Sequence, residues 1–561
     1  MEKNESFGAL FAEDDLKRRL PTAEQAGPLR KDRVVGVFYF LTHGAGSRPR
    51  PAPVNVTRLI REKPEALQDF DHPAWGEKGS DLYWGEPLFG YYFNDDKWVL
   101  RRHVKLLTQA GVDFLVFDTT NRTTFWHEVR TLLEVLEEYR LQGWKVPQVA
   151  YYTNTKSGET LNEIWNDLYK PGLFRDLWFR WEGKPFIIAD PSQCTPEQQA
   201  FFTFRLPQWP TEKKKQGGCP WIDFERPQRV WKNAEGENEV VPVSVAQHPN
   251  ISFGDAAFYG EPSTRGRAFR GWLNDKTPEA ELYGYNAAEQ WERALELDPK
   301  MVFFTGWNEW TAGKIPGDPP RPVLMVDQAD QEYSRDVEPM RGGHFDNYYM
   351  QLCDYIRRYK GAPALPEAQG ERPIDLQDGF SQWETAPAYW AMPFGTLPRR
   401  AEGCGGVIYE DKTGRNEFDC LKVAHDAKNV YFYARTKENI VFNMFTKWMT
   451  LYIGVEGRPW APHWHGYHYL VNDIVLDAGA TFLQTCLGGY RFGKNTRIPY
   501  RFEGNEMMIA VPRSALGLEK GPFELHFQWA DHTGRNETIE DFYEHGDTAP
   551  YGRFSYLYRA R

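Results

Sequence analysis

Between Arg33 and about Lys360, short apolar runs alternate with amphipathic helical patterns. A chain with that rhythm can bury its strands only side by side in a parallel sheet, with the helices packed outside. The strand candidates are residues 34–41, 112–117, 148–152, 186–189, 201–206, 221–224, 241–246 and 302–305. In the helices between them, apolar positions fall on one face at a spacing near 3.6: Phe125, Trp126, Val129, Leu132, Leu133, Leu136 and Tyr139 in one, and Phe345, Tyr348, Leu352, Tyr355, Ile356 and Tyr359 after the last strand. Repeated βα units of this number predict an α/β fold, a (β/α)8 TIM-type barrel. Residues 208–218, with Lys213, Lys214 and Lys215, carry no helical pattern and read as a solvated loop.

Residues 361–370 are rich in Pro, Ala and Gly and lack periodicity, which marks a linker. Beyond it the pattern changes to short alternating strands at 429–435, 449–455, 467–471, 507–511 and 523–529, separated by Gly, Asn and Asp turns, the pattern of an all-β sandwich domain. The predicted organisation is an N-terminal extension over 1–32, a catalytic barrel over 33–360, a linker over 361–371 and a sandwich over 372–561. A chain of 561 residues exceeds what one core normally organises, in keeping with two domains.

A net charge of −11 argues against a phosphate-backbone or anionic-membrane partner, so nucleic acid and membrane insertion are not expected. The 21 tryptophans, in a chain that is 15% aromatic, suit carbohydrate instead. Cys194, Cys219, Cys353, Cys404, Cys420 and Cys486 form no CxxC pair and read as structural thiols, with Cys404 and Cys420 the one pair to watch. The segment Trp460-Ala-Pro-His-Trp-His-Gly-Tyr-His468 fits no common zinc spacing, and Rossmann, P-loop and Gly-x-Ser-x-Gly fingerprints are absent, so neither metal nor cofactor is expected. The N-terminus lacks a hydrophobic signal core, which predicts a cytoplasmic protein unless a leader has been removed, in which case it would be secreted or periplasmic.

In a βα barrel, chemistry collects where strands end. The last strand runs into Gly306-Trp-Asn-Glu-Trp-Thr-Ala-Gly313, a carboxylate walled by indole rings. Glu309 is therefore the candidate nucleophile or base. Glycosidic cleavage needs a second carboxylate, and the period-two geometry of a strand at 221–224 would aim Asp223 and Glu225 at the same side. Either could be the acid; the competing use of these groups is pairing with Arg226 or Arg229. Asp118 is a third contender, placed in substrate binding first. Tyr39, His43, Asn121, Gln247, His248, Trp307, Asn308 and Trp310, all at or beside strand ends, are the other candidate subsite residues.

The Asn-Glu-Trp stretch resembles that of the endo-α-mannosidases of glycoside hydrolase family 99 and related family 71/99-like proteins. Tyr333-Ser-Arg-Asp-Val-Glu-Pro339 and His344-Phe-Asp-Asn-Tyr-Tyr349 resemble the continuation in uncharacterised bacterial members. The resemblance implies a glycan-cleaving barrel with Glu309 at the first of two motif glutamates. The second position here is Ala312, so the paired mechanism does not carry over. Met507-Met-Ile-Ala-Val-Pro-Arg-Ser-Ala-Leu-Gly517 resembles carbohydrate-binding module family 9. The reading that follows is a glycoside hydrolase acting on a polysaccharide or oligosaccharide. The rivals are a non-catalytic glycan-binding protein on a glycosidase scaffold and an enzyme of polysaccharide assembly.

Overall fold

The computed structural model describes residues 2–44, 48–247, 258–259, 264–458, 466–488, 491–518, 521–534 and 538–561. The first half is built on eight parallel strands: β1 (Val34–Tyr39), β2 (Phe114–Thr119), β3 (Gln148–Thr153), β4 (Lys184–Ile188), β5 (Thr203–Gln208), β6 (Gly218–Pro220), β7 (Asn238–Ser244) and β8 (Met301–Thr305). They pair in the order β6-β5-β4-β3-β2-β1-β8-β7, with Trp231–Lys232 added antiparallel to β7 and Arg180–Trp181 antiparallel to β4.

These strands are near-continuous apolar runs because both faces are covered. In β1, Val35 and Val37 point into a core shared with the helices, while Phe38 points the other way to meet Val116, Tyr152, Ile188 and Phe303. Tyr152 on β3 and Phe303 on β8 lie 6.3 Å apart by ring centroid. Two strands separate them in the sheet, roughly 14 Å along a flat surface. The sheet is therefore strongly curved around an aromatic interior. The sixth strand ends at Pro220, so residues 221–224 follow it rather than form it. The lysine segment 213–215 lies in the loop before it, as its polarity predicts.

Helices α1 (Lys97–Ala110), α2 (Trp126–Leu141), α3 (Tyr285–Leu297) and α4 (Asn347–Lys360) cover the outer face. The Asp96 side chain caps α1 by accepting from Trp98 N, and Gly111 closes the helix in the left-handed region at φ 83°.

The second half is one antiparallel sheet containing β9 (Phe418–His425), β10 (Asn429–Thr436), β11 (Thr450–Val455), β12 (Tyr469–Asp477), β13 (Ala480–Gly488), β14 (Arg491–Glu503), β15 (Glu506–Pro512), β16 (Phe523–Asp531) and β17 (Ser555–Ala560). The 13-residue β14 pairs with β13 through its first part and with β15 from Tyr500 onward. That crossing folds the sheet back on itself, and Phe432 of β10 packs 5.8 Å from Phe527 of β16.

Several contacts tie the halves together. Leu10–Phe11 pairs antiparallel with Tyr556–Ser555, so the N-terminal segment is an edge strand of the C-terminal sheet. Arg553, 1% exposed, makes a two-pronged ion pair at 2.7 Å with Asp346, which is fully buried before α4. The 361–370 segment is likewise tethered, through bridges of Ala362 to Pro28 and Gln369 to Ala560. All six cysteines are free thiols, so Cys404 and Cys420 are not paired. No described helix is long and apolar enough to cross a membrane.

Candidate active site

The segment after β8 is fixed by an amide that imitates a strand. Asn308 Oδ1 accepts from Phe40 N at 2.9 Å while its Nδ2 donates to Phe40 O at 3.0 Å, continuing the β8–β1 ladder one step past its end. His43 Nε2 donates to Asn308 O at 2.8 Å, and burial lowers the His43 pKa so that the ring stays neutral. Trp310 stacks on Trp84 at 4.2 Å, and the Trp84 indole N–H donates to Glu309 O at 3.0 Å. The backbone around Glu309 is thus held on three sides before its carboxylate is considered.

The loop 327–338 supplies the other half of the site. Its backbone docks onto the β8 extension through Gly306 N to Arg335 O at 3.0 Å and Glu338 N to Trp307 O at 2.9 Å. A Cβ at position 306 would lie 2.6 Å from Asp336 Oδ1, so a larger residue there would push the buried Asp336 carboxylate aside. Arg335 Nη2 donates to Glu309 Oε2 at 2.8 Å and lies 3.4 Å from Asp327 Oδ1. Gln328 Nε2 bridges Glu309 Oε2 at 2.7 Å and Asp336 Oδ2 at 2.8 Å. Beneath them the Arg335 guanidinium sits 4.8 Å from the Trp221 ring.

One buried guanidinium therefore faces three carboxylates. Burial raises the Glu309 carboxyl well above its ordinary range; Arg335 opposes that shift and Asp327 adds to it. Asp336, fully buried, is pushed up to about 6, again by burial first. Asp118, at the end of β2, is raised by burial and feels both Asp327 and Arg335, which brings it into the same electrostatic group. Its carboxylate accepts from Thr120 N at 2.9 Å. Oε1 of Glu309 takes no hydrogen bond from any described residue, and the side chain keeps 15% of its exposure.

A second, fully buried network lies behind this group. Glu338 accepts from Tyr92 OH at 2.7 Å, His103 Nε2 at 2.9 Å and the Trp310 indole at 2.6 Å, and His103 Nδ1 is 2.8 Å from Tyr39 OH. Tyr39, Trp307, Asn308 and Trp310 are each 0% exposed, so as placed none offers a ring face or amide to solvent. They hold the backbone from behind.

The remaining sequence candidates are dispersed. Asp223, 1% exposed, is engaged by Arg229 through the guanidinium, with Nη2 to Oδ1 at 2.6 Å, and through the Arg229 backbone N–H at 2.8 Å. Glu225 is exposed, and because β6 ends at Pro220 the period-two geometry expected to align the two carboxylates does not apply. Gln247, 3% exposed, donates to Asp223 O at 2.6 Å and accepts from Arg265 Nη1 at 3.0 Å. Asn121 is exposed beyond β2. His248 lies outside the described residues, as do His463 and His465 of the histidine-rich segment; His468 accepts from Val455 N at 3.0 Å. Among the described residues no group of three or more His, Cys, Asp or Glu is arranged to hold a metal. At the same end of the sheet a cleft of about 360 Å³ opens between Asn154, Ser157, Asp190, Gln193 and Lys215, with Asp190 used to cap the turn through Ser192 N at 3.0 Å.

Asp327, Gln328, Arg335, Asp336 and Glu338 are functional-site residues that no strand-end pattern marks, although three of them fall in the stretch from Tyr333 to Pro339. The available signal was charge density: a run of alternating acids and an arginine between the β8 extension and α4, where a solvated loop would not need so many partners.

No family model matches the chain and no curated protein matches it, so the resemblance of residues 507–517 to carbohydrate-binding module family 9 is unsupported. Among solved structures, the glycoside hydrolase family 99 endo-alpha-mannosidase from Bacteroides thetaiotaomicron bound to bis-tris-propane is 14% identical with a TM-score of 0.32, covering 59% of this chain and 98% of that one. The same enzyme in a second structure is 13% identical with a TM-score of 0.34 over the same shares. A glycoside hydrolase-like protein is 12% identical with a TM-score of 0.26, covering 59% and 94%. These likenesses are distant.

Proposed function

We propose that the protein is a glycoside hydrolase whose acid/base is Glu309. It would work at the C-terminal end of a (β/α)8 barrel spanning about residues 33–360, with residues 372–561 as an appended sandwich. The strand order, which runs cyclically from β7 round to β6, and the curvature of the sheet support the barrel. The return of β14 across the C-terminal sheet supports the sandwich.

The observation that carries the functional reading is the sharing of Arg335 Nη2 by Glu309 and Asp327. Contacts of 2.8 and 3.4 Å to one nitrogen keep the two carboxylate oxygens within about 6 Å of each other. Retaining glycosidases place their carboxyl groups at about 5–5.5 Å and inverting ones at about 6.5–9.5 Å. This limit on the nearest oxygens accommodates the retaining separation, and retention is the stereochemistry proposed here. In that scheme Asp327 attacks the anomeric carbon while the raised Glu309 carboxyl gives its proton to the departing glycosidic oxygen. Glu309, now ionised, then takes a proton from the water that displaces Asp327 from the sugar. Asp118 is assigned to binding sugar hydroxyls.

The alternative of a non-catalytic glycan-binding protein draws on Ala312, which packs half-buried on the strand Thr311–Pro316 opposite Leu82 and supplies no carboxylate. The deciding experiment is Glu309→Gln. We expect turnover of natural glycans to fall by several orders of magnitude, with aryl glycosides bearing good leaving groups much less affected because they need little protonation. Activity within tenfold of wild type on natural glycans would refute the assignment, and an inverted product anomer would refute the role of Asp327.

A further inference from the structure

We infer that Trp272 is a pyranose-stacking subsite at the rim of the Glu309 site, so that the substrate is an extended oligosaccharide or polysaccharide chain. This rests on the glycan-directed reading above. Trp272 stands at the tip of the hairpin that pairs Phe269–Arg270 with Leu273–Asn274. The two turn residues, Gly271 and Trp272, have φ of 54° and 72°. Two-residue turns with both central φ positive are dominated by Gly, Asn and Asp, because a larger side chain crowds the following carbonyl there. A tryptophan is among the poorest choices, and this one is 70% exposed, so burial does not compensate the strain.

The indole is nevertheless held in place from beneath. The Arg226 guanidinium lies 4.2 Å from its ring and 4.7 Å from that of Phe269, and Glu289 grips both ends of that guanidinium. One face of the indole is thus backed by a fixed cation and the other is open. A rigid, flat, solvent-facing ring is what the apolar face of a pyranose stacks on, at little entropic cost.

Position ties the ring to the reacting groups. Trp221, against which Arg335 packs, and Arg226, against which Trp272 packs, belong to the same segment after β6. Four residues lie between them, a reach of at most about 18 Å. The segment is anchored to the hairpin's base by Arg265 Nη2, which donates to Phe224 O at 3.1 Å. The indole packs on Arg226 beside Phe269, whereas the paired carboxylates pack on Arg335, so a sugar stacked on Trp272 is not the one held at Glu309, and filling both places takes a chain.

The test is calorimetric titration of the Glu309→Gln protein, which keeps ligand uncleaved, with size-graded α-mannan, β-glucan, xylan and chitin oligosaccharides from disaccharide to octasaccharide. Adding Trp272→Ala should weaken binding of the longest members of the preferred series about tenfold, while disaccharide affinity and melting temperature stay unchanged. Trp272→Phe should recover most of the loss. No loss for long chains, an equal loss for the disaccharide, or no binding by any of the four series overturns the inference. Chain-length-dependent binding through Trp272 in a protein whose wild type cleaves nothing would leave the subsite standing and refute the hydrolase.

Discussion

Replacing Glu332 by glutamine should flatten the pH dependence of stability between pH 5 and 8. Burial, reinforced by Asp330 and Glu281, pushes the Glu332 carboxyl up to about 8 from its ordinary 4.5, against the opposing pull of the Ala268 N–H that both its oxygens accept. A folded-state pKa raised above the unfolded one gives a stabilising contribution that is fully present below about pH 4.5 and is lost progressively as pH climbs to about 8. Each unit of that interval is worth about 1.4 kcal/mol, an upper bound of about 5 kcal/mol. Glu332 keeps a little solvent contact, and screening brings the expectation to about 3 kcal/mol. Glutamine keeps the volume and an acceptor for Ala268 N but cannot ionise. In urea titrations at pH 5, 6.5 and 8, the variant should match wild type within about 1 kcal/mol at pH 5 and exceed it by about 3 kcal/mol at pH 8. Parallel profiles for the two proteins would refute the placement of this carboxyl.

Two further changes probe other parts of the structure. Glu338→Gln sets an amide NH2 against either His103 Nε2 or the Tyr92 and Trp310 donors, so the buried network keeps all its bonds only if the His103 ring changes tautomer; we expect a stability loss of about 1–3 kcal/mol and a lower kcat with little change in KM, and an unchanged melting curve would show that the network does not brace the site. Asp346→Asn removes the buried counter-charge of Arg553 in the seam between the halves and leaves it the more exposed Asp15; a loss of about 3–5 kcal/mol in denaturant unfolding is expected, and a loss below about 1 kcal/mol would refute its role in joining them.

Most of the parallel strands were legible because burial on both faces forces continuous apolar runs, and 148–152 or 302–305 can hardly be anything else. Gly218–Pro220 was misplaced by three residues because Trp221 and Ile222 are equally apolar but serve the interior rather than a ladder. In the C-terminal half, β14 was missed since its sequence, Arg491-Phe-Gly-Lys-Asn-Thr-Arg, is polar and exposed and is held by hydrogen bonding to β13, which no pattern of side chains reports. In the site, Glu309 stood out by its position after β8. Its partners did not, because Arg335 and Asp327 come from a loop whose approach depends on tertiary docking to Gly306 and Trp307. The same limit applies to the tryptophans: sequence cannot tell an indole stacked on Trp84 from one open to solvent.

The ladder between Leu10–Phe11 and Tyr556–Ser555 sets a timetable for folding. Ribosomes extend chains at about 5–20 residues per second, so the first strand waits on the order of a minute before its partner is made. During that wait the outer face of α1, with Arg102, Lys105 and Gln109, also lacks the C-terminal groups that cover it, Tyr543, Asp547 and Tyr551. An emerging chain therefore carries an unpaired strand and an unsheathed, partly apolar helix until residues 541–560 have been made. Chaperone dependence should be decided by how quickly residues 541–560 find Leu10 and Phe11, and cold or codon-slowed expression should raise soluble yield only if it lengthens chaperone protection by more than it lengthens that wait.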